Sequence, residues 1–167
     1  MSNLFKKIKV LIIDDSALVR DILAKGLSAD PAIEVVGTAP DVYVGRDLIV
    51  KLKPDVLTLD IEMPKMDGIE ALERLQILSP ETPVIMVSGH GTIDTAVEAV
   101  KKGAFDFISK PPDLNRMLIT VRNALDRSEL VNTTQVLRKQ VKGNKGVNMI
   151  GESAPILEIK KMLERVA

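Results

Sequence analysis

Ile8-Lys9-Val10-Leu11-Ile12-Ile13-Asp14-Asp15-Ser16 is the stretch that decides the fold. An aliphatic run met at once by two carboxylates reads as a strand buried on both faces that ends at a polar edge. Four more Val- and Ile-rich runs follow, at Ile33–Val36, Val56–Leu59, Val84–Val87 and Phe105–Ile108. Between them lie amphipathic stretches near Ser16–Ser28, Asp41–Leu52, Ile69–Leu78 and Thr92–Lys102, with a fifth from Asp113 onward. Each carries apolar residues at three-and-four spacing, as Leu18, Ile22 and Leu23 do in the first. Strict alternation with short connections implies right-handed crossovers. The fold class is therefore α/β: a five-stranded parallel sheet, doubly wound as (βα)5, with helices on both faces. Lys53-Pro54 and Thr82-Pro83 precede strands and Lys102-Gly103 stops the fourth helix, in agreement with the periodicity.

Composition narrows the chemistry. The chain has 167 residues, 46% hydrophobic and 28% charged, which suits one ordinary domain with an appendage. No apolar run approaches a membrane span, and no signal peptide is visible, so a cytoplasmic location is expected. Zero cysteines exclude disulfides, thiol nucleophiles and zinc-thiolate sites, and one histidine excludes a multi-His metal site. Residues 127–167 hold eight Lys or Arg against four Glu, an excess of +4. That is too weak a field, with only one Tyr and three Phe in the chain, to argue direct nucleic-acid contact.

Ligands of an open parallel sheet collect at the carboxyl ends of its strands. Here Asp14 and Asp15 end the first strand, Asp60 the third and Ser88 the fourth, while Ser109-Lys110-Pro111 follows the fifth. Three carboxylates brought together repel unless a cation neutralises them. Oxygen-only ligands beside a phosphoryl site favour Mg2+, and the calcium loop pattern is absent. Asp60 ends the central strand, between the acidic pair and Lys110, which makes it the candidate nucleophile. Attack on phosphorus would give an acyl phosphate, with Lys110 and Ser88 contacting the phosphoryl oxygens.

These residues resemble the receiver domains of two-component response regulators over about residues 6–128. The motifs are Leu11-Ile12-Ile13-Asp14-Asp15-Ser16, Leu59-Asp60-Ile61-Glu62-Met63-Pro64 with Gly68 eight residues after Asp60, Val87-Ser88-Gly89, and Phe107-Ile108-Ser109-Lys110-Pro111. The resemblance implies a flavodoxin-like fold, Asp60 as phosphoacceptor, and a metal site of Asp14, Asp15, Asp60 and the Glu62 backbone carbonyl. It further implies Ser88 and Lys110 as phosphoryl contacts, Ser88 and Phe107 as the moving switch, a cis bond at Lys110-Pro111 and a histidine-kinase partner. Residues 8–68 look like the receivers of chemotaxis methylesterases. From Val87 on, Ser88-Gly89-His90-Gly91-Thr92-Ile93-Asp94-Thr95-Ala96-Val97 and Lys101–Phe107 look like nitrogen-regulation-type sigma-54 activators. Met149-Ile150-Gly151-Glu152-Ser153 resembles the opening of that family's ATPase domain, although no Gly-x-x-x-x-Gly-Lys-Ser/Thr loop occurs in the chain. The mixture suits either a chimera joined after Gly68 or a natural regulator with a divergent first half.

Plainer readings stand beside these. Asp14 and Asp15 can serve as helix caps, Lys110 as a surface lysine, Ser88 as a strand terminus and Phe107 as core packing. His90, between two glycines, is assigned no role. Leu130, Thr134, Leu137 and Val141 recur at 4-3-4 spacing, a short coiled-coil seam through which the chain is expected to form a homodimer. The expected organisation is a receiver at 6–128, a helical linker at 129–146 and the start of a truncated ATPase-like output domain at 147–167. The chain then acts as a phosphorylation-dependent switch, passing its state through the terminal helix to a transcription-activator output. It is not a turnover enzyme, and Glu62 is placed to tune water attack on the acyl phosphate. Two alternatives are a phosphorylation-independent dimerisation module and an aspartate-nucleophile phosphatase. The latter requires Asp-x-Asp, where position 62 is Glu.

Overall fold

A computed structural model describes residues 6–143. The five expected strands form one parallel sheet: β1 (Ile8–Ile13), β2 (Ile33–Ala39), β3 (Val56–Asp60), β6 (Val84–Ser88) and β7 (Asp106–Ser109), in the order β2-β1-β3-β6-β7. Two further strands, β4 (Glu62–Met63) and β5 (Met66–Asp67), make a small antiparallel ribbon directly after β3. The sequence reading contains neither, because two-residue strands have no periodicity to detect. β2 also runs three residues beyond Val36, through Gly37 and Thr38, where the aliphatic signal stops but pairing with β1 continues.

The helices are α1 (Ala17–Ser28), α2 (Val42–Leu52), α3 (Gly68–Leu78), α4 (Ile93–Lys101) and α5 (Leu114–Gly143). Their starts follow from capping. Ser16 accepts from the Val19 amide, Asp41 from that of Val44, and Thr92 from that of Thr95. α2 stops where Lys53 turns left-handed (φ 48°) ahead of Pro54, which cannot continue a helix.

Strand alternation sorts the core into two halves. Leu11, Ile13, Leu57, Leu59 and Met86 face one side, where they pack with Val42 and Ile49 of α2, Leu72 and Leu75 of α3 and Ala99 of α4. Val10, Ile12, Val56, Ile85 and Val87 face the other, against Leu23 and Leu27 of α1 and Met117, Val121 and Ala124 of α5. A strand buried on both faces is mostly apolar rather than alternating, and Thr58 is the buried polar exception within β3. Burial of each large aliphatic side chain is worth ~2 kcal/mol, so the sheet is a stiff platform for whatever stands at its edge.

The chain divides into two compact units, one reaching Val131 and the other beginning at Asn132. Leu137 and Val141 of the expected seam lie on α5 and are exposed. The proposed linker end at 144–146, the segment 147–167 and the Met149–Ser153 motif lie outside the described residues. Among the described residues, no helix is long and apolar enough to cross a membrane.

Candidate functional site

Parallel register sets the site. Because β1, β3 and β6 run the same way, their carboxyl ends bring Asp14, Asp60 and Ser88 to one edge of the sheet, and all three are buried. Asp15 is exposed, yet one carboxylate oxygen each from Asp14, Asp15 and Asp60 lies within 4.8 Å of the others. The acidic pair of the first strand and the acid of the central strand therefore form one cluster.

Lys110 closes the cluster from β7's side. Its Nζ stands 2.9 Å from Asp60 Oδ2 and 3.0 Å from Asp14 Oδ2. The Lys110–Pro111 bond is cis, and the Lys110 amide donates to the Ser88 carbonyl at 2.6 Å. The other oxygens of the two buried acids are tied to backbone. Asp60 Oδ1 accepts from the Glu62 amide at 3.1 Å, and Asp14 Oδ1 from that of Ser16 at 2.8 Å. Ser16, rather than either aspartate, caps α1, so capping does not account for the acidic pair.

Burial pushes the Asp60 carboxyl above its ordinary range; the Lys110 ammonium and the Glu62 amide pull it back, and the neighbouring Asp14 charge raises it again. Burial alone would lower the Lys110 ammonium, but its contacts with Asp60 and then Asp14 outweigh that and raise it. One ammonium thus bridges two buried carboxyl groups, with the exposed Asp15 carboxylate close by. Asp14 Oδ2 and Asp60 Oδ2 are both buried, within ion-pair range of Lys110 but without an aligned hydrogen bond. An all-oxygen donor set with two such atoms fits a hard divalent cation, and Mg2+, which keeps several waters and takes one or two carboxylates, suits it.

The Arg20 contacts and the direction of the Glu62 carboxylate were not legible in the sequence. Arg20 donates from Nη1 to the backbone carbonyls of Asp14 and Asp15, at 2.7 and 3.0 Å, and so fixes the loop that carries both acids. The Glu62 carboxylate turns to the loop after β6, where it accepts from Ser88 Oγ at 2.8 Å and from the Gly89 and His90 amides at 2.9 and 2.7 Å. These hydrogen bonds hold its pKa below the usual carboxylate range, against the opposing effect of burial. His90, assigned no role from sequence, thus enters through its backbone. Gly68 explains its own spacing from Asp60: a Cβ there would lie 2.3 Å from Ile61 Cα and 2.8 Å from the Asp60 carbonyl oxygen. Only glycine lets α3 begin so close behind the acceptor strand. Phe107 is half-buried on β7 and closes over Gly91, where a Cβ would meet its Cζ at 2.1 Å.

The fold and site define a doubly wound α/β domain whose sheet edge gathers three carboxylates, two of them paired with one ammonium. The chain belongs to the response regulator receiver domain family, whose model matches residues 10–122. It is similar to a protein-glutamate methylesterase/protein-glutamine glutaminase from Syntrophotalea carbinolica, 59% identical over 108 residues, covering 64% of this chain and 30% of that relative. Among solved structures it resembles the response regulator domain of Thermotoga maritima CheB at 39% identity and TM-score 0.66, covering 72% of this chain and 98% of that one. It also resembles NtrX from Brucella abortus at 33% identity and TM-score 0.71, over 96% of this chain and 34% of that one. The chain spans about a third of the length of the methylesterase relative.

Proposed function

We propose that the chain is a phosphorylation-dependent switch in which Asp60 accepts a phosphoryl group from the phosphohistidine of a kinase partner. The carrying observation is the burial of Asp60 at the end of the central strand, with Lys110 Nζ at 2.9 Å and two further carboxylates within 4.8 Å. An Asp60 carboxylate oxygen attacks phosphorus, the O–P bond forms as the histidine N–P bond breaks, and the electron pair leaves with the imidazole nitrogen, which takes a proton from water. Lys110 neutralises charge on the transferring oxygens, and Ser88 donates to one of them once it leaves Glu62. Asp14, Asp15, Asp60 and the Glu62 backbone carbonyl would hold the magnesium ion, which when bound supplies charge neutralisation to the phosphoryl oxygens.

Displacement of the Ser88 loop, followed by Phe107, carries the state onward. The organisation is a cytoplasmic receiver at 6–128, a helical linker at 129–146 and the start of an output domain at 147–167. The seam on α5, with Leu137 and Val141 exposed, joins two copies. A transcription-activator output rests on the resemblance of Ser88–Val97 and Lys101–Phe107 to nitrogen-regulation-type activators alone. A methylesterase output is the second reading, favoured by the 59% identity to the Syntrophotalea protein. The two likenesses also fit a chimeric origin for the halves. Such a chain is a switch with slow self-dephosphorylation rather than a turnover enzyme.

The test is incubation with magnesium and acetyl phosphate, read by intact mass and sedimentation beside Asp60→Asn. One added phosphoryl group in the parent only is expected. An unmodified parent overturns the reading and favours a phosphorylation-independent dimerisation module, whereas steady hydrolysis of a generic phosphate ester favours a phosphatase. Monomers at tens of micromolar, with and without phosphodonor, would remove the dimer.

A further inference from the structure

The Glu62 side chain stands apart from the acidic cluster, although its backbone is tied to it. Its amide donates to Asp60 Oδ1 at 3.1 Å, while its carboxylate collects Ser88 Oγ at 2.8 Å, the Gly89 amide at 2.9 Å and the His90 amide at 2.7 Å. His90 Nδ1 lies 3.5 Å from the same carboxylate. One hydroxyl and two successive backbone N–H groups aimed at one point form an anion-binding concavity. Here a carboxylate of the chain itself fills it.

We propose that Glu62 is the resident anion of the Ser88-Gly89-His90 loop, an internal competitor whose hydrogen bonds a phosphoryl group on Asp60 must take over before the loop can move. The inference rests on the reading of Asp60 as phosphoacceptor and adds what holds the loop in its resting place. The geometry supplies both restraint and release. Asp60 and Glu62 are two residues apart and joined by the amide contact, so the two anions compete for the same donors over a short tether. Phosphorylation brings close to two negative charges to Asp60, which repel the Glu62 carboxylate while attracting its donors. Gly89 offers bare backbone to this contact, since a Cβ there would lie 3.1 Å from Glu62 Oε2. Glu62 is thereby a positioning residue, and its side chain can be changed without removing the backbone carbonyl placed in the metal site.

The test compares the parent with Glu62→Ala and Glu62→Gln by amide NMR, first without ligand and then during titration with beryllium fluoride in magnesium. Without ligand, Glu62→Ala should lose hydrogen-exchange protection at Gly89 and His90. The half-saturating beryllium fluoride concentration should fall roughly tenfold in Glu62→Ala, as expected when charge-assisted hydrogen bonds no longer compete. Glu62→Gln should lie between, because its amide oxygen still accepts. If the parent binds but both variants bind with the parent's affinity, the competitor role is overturned and the phosphoacceptor reading stands. If the parent takes up neither beryllium fluoride nor a phosphoryl group, the phosphoacceptor reading itself fails and the competition falls with it.

Discussion

Replacing Asp60 by Asn should make the metal-free protein more stable. Asp60 is 1% exposed, and desolvation of a buried carboxylate costs roughly 4 kcal/mol after relaxation. At an effective dielectric of about 20, Asp14 within 4.8 Å adds ~3.5 kcal/mol of repulsion, and exposed, water-screened Asp15 about 1 more. Lys110 at 2.9 Å returns ~6 kcal/mol of attraction. The balance is ~2.5 kcal/mol against the charged form, in keeping with the raised pKa of Asp60. Asn keeps an acceptor for the Glu62 amide and leaves Lys110 paired with Asp14. Urea unfolding in chelator at neutral pH should therefore show Asp60→Asn more stable by ~2.5 kcal/mol, or roughly 7 °C in thermal midpoint for a chain of this size. Because the folded state holds the Asp60 proton more tightly than the unfolded chain, the penalty is complete above the raised folded pKa. It fades as pH falls toward the ordinary value of 3.8, and the variant's advantage fades with it. Magnesium should narrow the gap by binding the parent's site more tightly. A variant equal to or less stable than the parent in chelator would refute the account of an under-neutralised cluster.

Three further outcomes follow from named contacts. Lys110→Ala leaves two buried acids without their cation and should cost ~3 kcal/mol in chelator by urea titration, with part of the loss recovered in magnesium. Gly68→Ala places a Cβ 2.3 Å from the Ile61 backbone and should cost about 3 kcal/mol, seen as a lowered denaturation midpoint with unchanged slope. Leu72→Ala empties a fully buried position on α3 and should cost ~2–5 kcal/mol in the same assay, with little effect on phosphoryl uptake at the sheet edge.

The central strands were legible because burial on both faces writes a mostly aliphatic run, and the helices because three-and-four spacing and caps such as Thr92 mark them. The β4–β5 ribbon was not, since Glu62–Asp67 carries no period and forms through its place after β3. At the site, Asp14, Asp15, Asp60 and Lys110 could be brought together from topology alone, because parallel strands share one carboxyl edge. The hold of Glu62 on Ser88 escaped the same logic. It spans 26 residues and depends on where a side chain turns, which no local pattern encodes. Arg20 escaped for a similar reason: its partners are backbone carbonyls, which every residue possesses.

The 2.6 Å hydrogen bond from the Lys110 amide to the Ser88 carbonyl has a mechanical consequence. Under the proposed switch, the lysine beside the acceptor and the serine that heads the responding loop are yoked through one backbone joint between adjacent strands. Tugging on either transmits sideways along the rim without disturbing the interior, so substitutions at the two positions should be epistatic rather than additive.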